Sequence, residues 1–560
     1  MGPGHMSYRS PRSLALAGLA LVVALALTLS ACGSSSDTSG GSGDSGGSEG
    51  GTLKATVGSF PDYLDPSLGL SVESLNSFYN TYIPLLTYAH ESGAAGGKVV
   101  PGLAKAMPKI SDGGRTYELT LQKGLHYSNG EAVKASDFKA TIERLFRLNS
   151  PGSPFYETIV GAAQFAKTKQ GGISGIETND QSGEITIHLE GPRGTFENEL
   201  ALPTAAPLPA GTPAKDLTPS PPPATGPYAI VKSQVGRGWE LARNPQWAKS
   251  NAKLVPSVPS GHVDRIDFDV LRNPSTQVND IESGRYDWMF NAPPADRYAD
   301  VKEQFEGSQF EVNAAPGTYF FWLNTTQPPF DDVKVRQAVA HAVDARALER
   351  VYAGQLIGTQ QVLPPGMPGY EKLDLYPHGL AAAKELIAEA DPSDRAITVW
   401  GNTESPNNEA VEYYGGVLEE LGFEVTLKII NADNYFTVIG NDSTPDLDTG
   451  FANWFAEYPN PNAFFQPMLT EGSLSPTNAT NLARFADPGI STKIEKLATE
   501  PLGAEQEAEY AEVDKEVMEE APLIPYGNAT APTFVSAAVD LESVVFNPTF
   551  SQDLTSFEFK

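Results

Sequence analysis

The chain has 560 residues, 39 of them Lys or Arg and 69 Asp or Glu, which gives a formal net charge of −30. That balance excludes nucleic acid as the partner, since phosphates need a basic face, and it fits a well-solvated surface outside the cytoplasm. There is one cysteine, so no internal disulfide can help, and a chain this long must build at least two lobes with cores of their own.

The first element is an export segment. Arg9 and Arg12 give a positive start, Leu14 to Leu29 is an apolar run of 16 residues, and Ser30-Ala31-Cys32 supplies small residues at a cut site. The run is short for a membrane span, which needs about 20 residues. The sole cysteine, Cys32, resembles the lipidated residue of a bacterial lipobox, with the chain cut before it. Residues 1–32 are therefore expected to be a signal peptide with lipobox, and Met6 could be the natural start. Residues 33–51, almost all Gly, Ser, Asp, Thr and Glu, form a flexible tether. Its typical reach is roughly 25 Å, so the body hangs near the membrane.

Prolines cluster in Pro203–Pro227, which reads as a rigid surface segment between elements. Ile266, Phe268 and Val270 alternate as a strand. Ser275 is expected to cap a helix ending near Gly284, and Tyr286–Phe290 reads as the next strand. Asp332 caps a helix whose apolar positions Val335, Ala338, Val339, Ala342 and Val343 follow helical spacing, with Gly354 ending it. Further on come a strand at Ile397–Trp400, a helix at Glu409–Leu421 stopped by Gly422, a strand at Val425–Ile430 and another at Leu447–Trp454. Strands separated by helices predict mostly parallel sheets with helices packed on them, an α/β class. There is no internal repeat.

In open parallel sheets ligands bind beyond the carboxyl ends of the strands. Trp400 and Trp454 stand there, each followed by polar residues. Together with Asn402, Asn453 and Glu457 they predict a ligand wall. Enzyme motifs do not appear. The seven histidines form no His-Glu-x-x-His helix, and there is neither a Gly-x-Ser-x-Gly elbow nor a phosphate-binding glycine loop. A secreted glycosidase built on paired carboxylates is the remote alternative, with no motif in its favour.

Several segments in order resemble one family. They are Gly124-Leu-His-Tyr-Ser-Asn-Gly130 through Phe138; Thr225-Gly-Pro-Tyr228 with Arg243-Asn-Pro245 and Trp247; Val263 to Ile266 with Ser283-Gly-Arg-Tyr-Asp287; Leu323-Asn-Thr325 with Pro329-Phe-Asp-Asp332 to Ala338; Trp454-Phe-Ala-Glu457-Tyr-Pro-Asn-Pro461; and Ala521-Pro-Leu-Ile-Pro525. Over residues 53 to about 555 the chain is similar to family 5 extracellular solute-binding proteins, the oligopeptide- and dipeptide-binding lipoproteins of ABC importers. The resemblance implies a two-lobed periplasmic-binding-protein-like fold of the class II or cluster C type, with an extra subdomain and a hinge. Lobe I would comprise 52–88, 222–318 and 525–560, the extra subdomain 89–221 and lobe II 319–524. The crossings fall near Tyr319–Asn324 and Pro525–Asn528. Ligand would stabilise the closed form, which the membrane permease reads.

The resemblance also implies site residues. In peptide-binding relatives an Asp pairs with the peptide's ammonium group, and Glu457 holds that position here. Trp454 would stack on the ligand. The loop Gly69, Leu70 and Val72 aligns with one whose backbone pairs with peptide. Phe155 and Tyr156 match an aromatic position in the subdomain. Tyr319 to Trp322 are expected mostly in the hinge-strand core, and Tyr435 and Phe436 are further wall candidates. The expected ligand is a peptide, with an oligosaccharide, an opine or a nickel or haem complex as the alternative solute. The expected partners are an ABC permease and, through the lipid anchor, the outer face of the cytoplasmic membrane. The resemblance gives no cofactor, no metal and a monomer.

Overall fold

A computed structural model describes residues 50–560. The expectations for Cys32, the apolar run before it and the tether up to residue 49 lie outside the described residues. One sheet of 11 strands runs through the molecule. Its strands are β1 (Thr52–Val57), β2 (Tyr228–Gln234), β3 (Gly238–Arg243), β4 (Arg265–Val270), β5 (Trp288–Met289), β6 (Phe310–Leu323), β7 (Leu356–Gly358), β8 (Ala396–Asn402), β9 (Glu424–Ile430), β10 (Thr449–Phe455) and β11 (Leu523–Val535). Their spatial order is β9-β8-β10-β6-β11-β5-β1-β4-β3-β2, and β7 adds to β11.

The expectation of mostly parallel sheets is corrected. β1 is parallel to β4 and β5, and β8 is parallel to β9 and β10. The β6–β11, β6–β10, β5–β11, β4–β3 and β3–β2 pairs are antiparallel. The parallel strands fall in two groups, β1 with β4 and β5 and β8 with β9 and β10; an antiparallel hairpin, β2–β3, ends the sheet on one side, and two long strands, β6 and β11, run in opposite directions through its middle.

Those two strands carry the geometry of the cleft. β6 and β11 pair from Phe310↔Phe534 to Trp322↔Leu523, with breaks in register between Ala314 and Thr318 and between Tyr319 and Phe320. Pro316 falls in the first break and Pro525 beside the second. Proline has no N–H for the ladder, so pairing is interrupted at these points.

Each lobe has its own core. Lobe II packs Phe321, Trp322, Val399, Trp400 and Phe451 with helix residues such as Tyr414, Phe464 and Val517. Phe321 and Tyr414 stack at 3.9 Å. Lobe I stacks Trp239 on Phe268 at 4.4 Å, with Trp288 and Phe557 beside them. The segment between holds a four-stranded antiparallel sheet, Lys109–Ser111, Thr116–Thr120, Glu184–His188 and Ile176–Asn179, covered by the helix Ala135–Leu148. Asp137 accepts the Lys134 N–H at 2.8 Å to start that helix, and Asn149 in the left-handed region ends it. Arg144 of the same helix makes a two-pronged pair with Asp65 at 2.7 and 2.6 Å, with both side chains buried. Breaking such a pair costs about 3–5 kcal/mol, because the survivor is an unpaired buried charge.

Local expectations need three corrections. The helix Pro274–Glu282 is capped by Asn273, whose Oδ1 accepts the Thr276 N–H at 2.8 Å, and not by Ser275. Pro274 fits the first helical position because it needs no acceptor for an N–H. Asp332 does cap its helix, by accepting the Lys334 N–H, but that helix ends at Ala342. Val343 is extended, and Asp344 caps a second helix, Ala345–Val351, so Gly354 follows the second helix and not the first. The proline-rich segment lies on the surface only around 209–221. Pro203 to Leu208 and Ala224 to Pro227 are buried, because Leu208 and Ala224 pack on Phe78 and Tyr82.

Candidate ligand-binding site

Three cavities adjoin where β10 leaves lobe II beside β6. The first, of about 410 Å³, has a mostly apolar wall drawn from several elements. Leu70, Val72 and Leu75 come from the loop and first turns of the helix Val72–Tyr79. Phe155, Leu202 and Thr204 come from the subdomain, Ala315 and Pro316 from the interrupted part of β6, and Phe455, Ala456 and Glu457 from the end of β10. Phe546, Pro548, Thr549 and Ser551 of the C-terminal tail close it. The second cavity, of about 510 Å³, shares Phe155 and Glu457 with the first and adds Trp454, Tyr458, Asn462, Gln466 and Glu495. The third, of about 360 Å³, shares Trp454 with the second and adds Phe320, Phe436, Asn453 and Thr480.

The register of the ladder sets this wall. Phe455, Trp454 and Asn453 stand opposite Gly317, Thr318 and Tyr319. A side chain at residue 317 would run into the Phe455 ring, so glycine lets that ring lie across the strand and face the cleft, where it is 45% exposed. The Ala456 N–H bonds the Pro316 carbonyl at 2.9 Å, holding the turn that presents Glu457. The Trp454 indole N–H donates to the Ala463 carbonyl at 2.8 Å, which fixes the ring between two cavities.

Glu457 dominates the electrostatics. Its side chain is exposed and lines two of the cavities. Loss of solvation raises its carboxyl above the ordinary value, and only its own backbone N–H opposes that. No Lys, Arg or His lines any of the three cavities, while Glu495 adds a second acid. The three cavities therefore combine apolar walls with acidic side chains.

The structure brings Leu70, Val72, Phe155, Asn453, Trp454 and Glu457 to these cavities, and Phe436 and Phe320 with them. It keeps Trp400, Asn402, Tyr156, Gly69 and Tyr435 away from them. Trp400 is 2% exposed, its indole N–H donates to the Asp446 carbonyl at 2.7 Å, and the Lys428 ammonium lies 4.2 Å from its ring. Asn402 is buried and accepts the Glu404 N–H. Tyr156 points into the subdomain core, donating to the Glu199 carbonyl at 2.8 Å, while its neighbour Phe155 turns to the cleft. Gly69 packs on Phe78 and Ser74, and its N–H is taken by the Asp65 carbonyl. The Leu70 N–H is likewise taken, by Asp62 at 2.9 Å, so these two loop donors are already used. The hydroxyl of Tyr435 bonds the carbonyls of Trp400 and Phe451.

Phe455, Pro316, Leu202 and the tail residues 546–551 escaped sequence reasoning. Phe455 carries a detectable signal, a large aromatic one residue past a strand-end Trp. The tail carries none, because nothing local says that it folds back on the cleft. Among the described residues no group of His, Cys, Asp and Glu is arranged to hold a metal, and no helix is long and apolar enough to cross a membrane.

Comparison with known proteins agrees with this architecture. Residues 98–475 match the model of the bacterial extracellular solute-binding proteins, family 5. The chain is 24% identical to a probable di/tripeptide-binding protein 5 of Pseudomonas aeruginosa over 88% of this chain and 94% of that one. It is 25% identical to heme-binding protein A of Haemophilus influenzae, over 91% and 93% of the two chains. Among solved structures, a clavulanic acid biosynthesis oligopeptide binding protein 2 superposes with a TM-score of 0.80 at 25% identity, covering 91% of this chain and 96% of the other. The family is one of extracytoplasmic solute-binding proteins rather than enzymes, and it has the two-lobed fold seen here. The chain belongs to the family 5 bacterial extracellular solute-binding proteins.

Proposed function

We propose that the protein captures peptides with a free amino terminus in the cleft between its lobes and delivers them to an ABC permease, held by lipid at Cys32 to the outer face of the cytoplasmic membrane. The observation that carries the ligand assignment is Glu457, a desolvated carboxylate facing the cavities with no cation among the residues that line them. A peptide ammonium supplies the missing charge, and a charge-assisted pair of this kind is about twice as strong as a neutral hydrogen bond. Phe455, Phe155, Leu70 and Val72 offer apolar contact to the first side chains. Haem fits less well, because its propionates would face Glu457 and Glu495. The peptide-binding relative and structural neighbour support the same reading.

The lobe boundaries proposed are those at which the β6–β11 ladder breaks, around 314–320 and at Pro525, with closure as a rotation about those points. Native mass spectrometry of the gently purified protein, with the retained solute released and identified, tests the assignment. A ladder of peptide masses is expected. A sugar or a metal complex would retain the transport role and overturn the peptide.

A further inference from the structure

The second cavity of the site carries two carboxylates that it shares with different neighbours. Glu457 also lines the apolar first cavity, and Glu495 also lines a smaller one of about 220 Å³. Glu495 stands on the helix Pro488–Leu497, whose Ile490, Ile494 and Leu497 are set in the core of lobe II. The lysines of that helix are committed elsewhere, Lys493 to Glu516 and Lys496 to Glu500 and Glu509 at 3.7 Å each. Arg193, the one basic side chain lining the smaller cavity, gives its Nε to the buried Glu199 at 2.5 Å. Among the described residues Glu495 makes neither an ion pair nor a hydrogen bond.

An independent observation points to the same place. Asn462 lines both the second cavity and the smaller one and is 4% exposed. Its Nδ2 donates to Gln466 Oε1 at 2.6 Å, which sets the amide's orientation, and its backbone N–H donates to Asn460 Oδ1 at 2.9 Å. Asn462 Oδ1 is left as a buried acceptor with no partner. Buried polar atoms are rarely left unpaired, and what this one lacks is a donor. A protonated amine or a guanidinium carries several donors and the charge that Glu495 lacks.

We propose that this cavity is a subsite for a basic side chain, that of a Lys or Arg at the second position of the bound peptide. The inference rests on the proposed peptide ligand and narrows its class. The amino terminus sits at Glu457, on the border of two cavities, with the first side chain against Phe455 and Val72 in the apolar one. Successive side chains of an extended chain point to opposite sides, so the second turns into the cavity of Glu495. There its apolar stem lies along Phe155 and Trp454, and its charged end meets Glu495 and Asn462 Oδ1. The chain's net charge of −30, concentrated in lobe II, draws such a ligand towards the cleft.

Calorimetric titration of the whole protein with Phe-Lys-Ala and Phe-norleucine-Ala, which match in shape and differ in one charge, tests the subsite. Wild type, Glu495→Gln and Glu505→Gln are compared. Glu505 is an exposed acid on the helix Ala504–Glu520 that lines none of these cavities, so its variant reads the overall field alone. Glu495 is exposed until the ligand covers it, so the wild type is expected to prefer the lysine peptide by about tenfold. Glu495→Gln should bind the two peptides equally, through loss of affinity for Phe-Lys-Ala with that for Phe-norleucine-Ala unchanged. Glu505→Gln should keep the preference. Equal affinity of the wild type for both peptides would overturn the subsite and leave the peptide function standing. A preference that survives in Glu495→Gln, or that falls as far in Glu505→Gln, would also overturn it, since the cation would then sit elsewhere or answer only to the general field. Binding of neither peptide would overturn the proposed function and the subsite together.

Discussion

β8 and β10 lie side by side and parallel, and each carries a tryptophan near its carboxyl end, yet the two rings have opposite fates. Trp400 on β8 is sealed between Lys428, the Asp446 carbonyl and the helix Ala432–Ile439, whose Tyr435 hydroxyl bonds its carbonyl. Trp454 on β10 stays half-buried and divides two cavities. The difference lies in the neighbours. β10 pairs with β6, the strand that crosses between lobes, whereas β8 is one strand further out and covered by helices of its own lobe. Ending a strand is therefore not enough to place a residue in the cleft; adjacency to a crossing strand is what opens it.

The comparison can be broken most severely at Trp400. Trp400→Ala is expected to lower stability by about 3–5 kcal/mol through loss of packing, while the protein that remains folded binds ligand with wild-type affinity. Chemical denaturation and calorimetric titration of one sample read both quantities, and weakened binding at full stability would reverse the assignment. Next in size is Glu457→Gln, which keeps shape and removes charge. It is expected to cost about 2–5 kcal/mol of affinity for a free-amino peptide with no loss of stability, because among the described residues the carboxylate is opposed only by its own backbone N–H. Trp454→Ala should cost about 1–2 kcal/mol of affinity, equally for free and N-acetylated peptides, since a ring contributes contact and not charge. Titrations of both peptides would expose any charge dependence.

The smallest effect is that of pH. Glu457 titrates above the ordinary carboxylate range in the free protein, and an ammonium partner would lower it in the complex. The complex then binds fewer protons than the free protein. Affinity for a free-amino peptide is expected to be full at neutral pH and to fall as pH drops through the raised value, by at most about tenfold per pH unit. The Glu457→Gln profile over the same range should be flat.

Much of this organisation can be read from the chain because it rests on local rules. Asp332 before an apolar-periodic run, Gly422 after one, and apolar alternation at residues 266–270 each announce an element that the backbone forms. The stretch from Trp454 to Glu457 stands out in the sequence as a strand-end tryptophan followed by an acid in a segment that resembles the family's, and the structure brings it to the cavities. The rest depends on distant partners. Gly317 matters only because Phe455 lies across it, and the tail at 546–551 becomes a wall only after the chain has returned to lobe I. Asp344 splits a helix that the periodicity of residues 335–343 would have run on through, because its carboxylate takes the Arg346 N–H at the start of a new one. Pro203 to Leu208 looked like an exposed linker by composition, and burial against Phe78 and Tyr82 came from the fold.

The most direct test of the central claim, that Glu457 receives the ligand's amino terminus, is a titration cycle of wild type and Glu457→Gln against Phe-Ala-Ala and its N-acetylated form. Removing either the carboxylate or the ammonium should weaken binding, and removing both should cost little more than removing one. Independent, additive losses, or equal affinity of the wild type for the free and acetylated peptides, would contradict it.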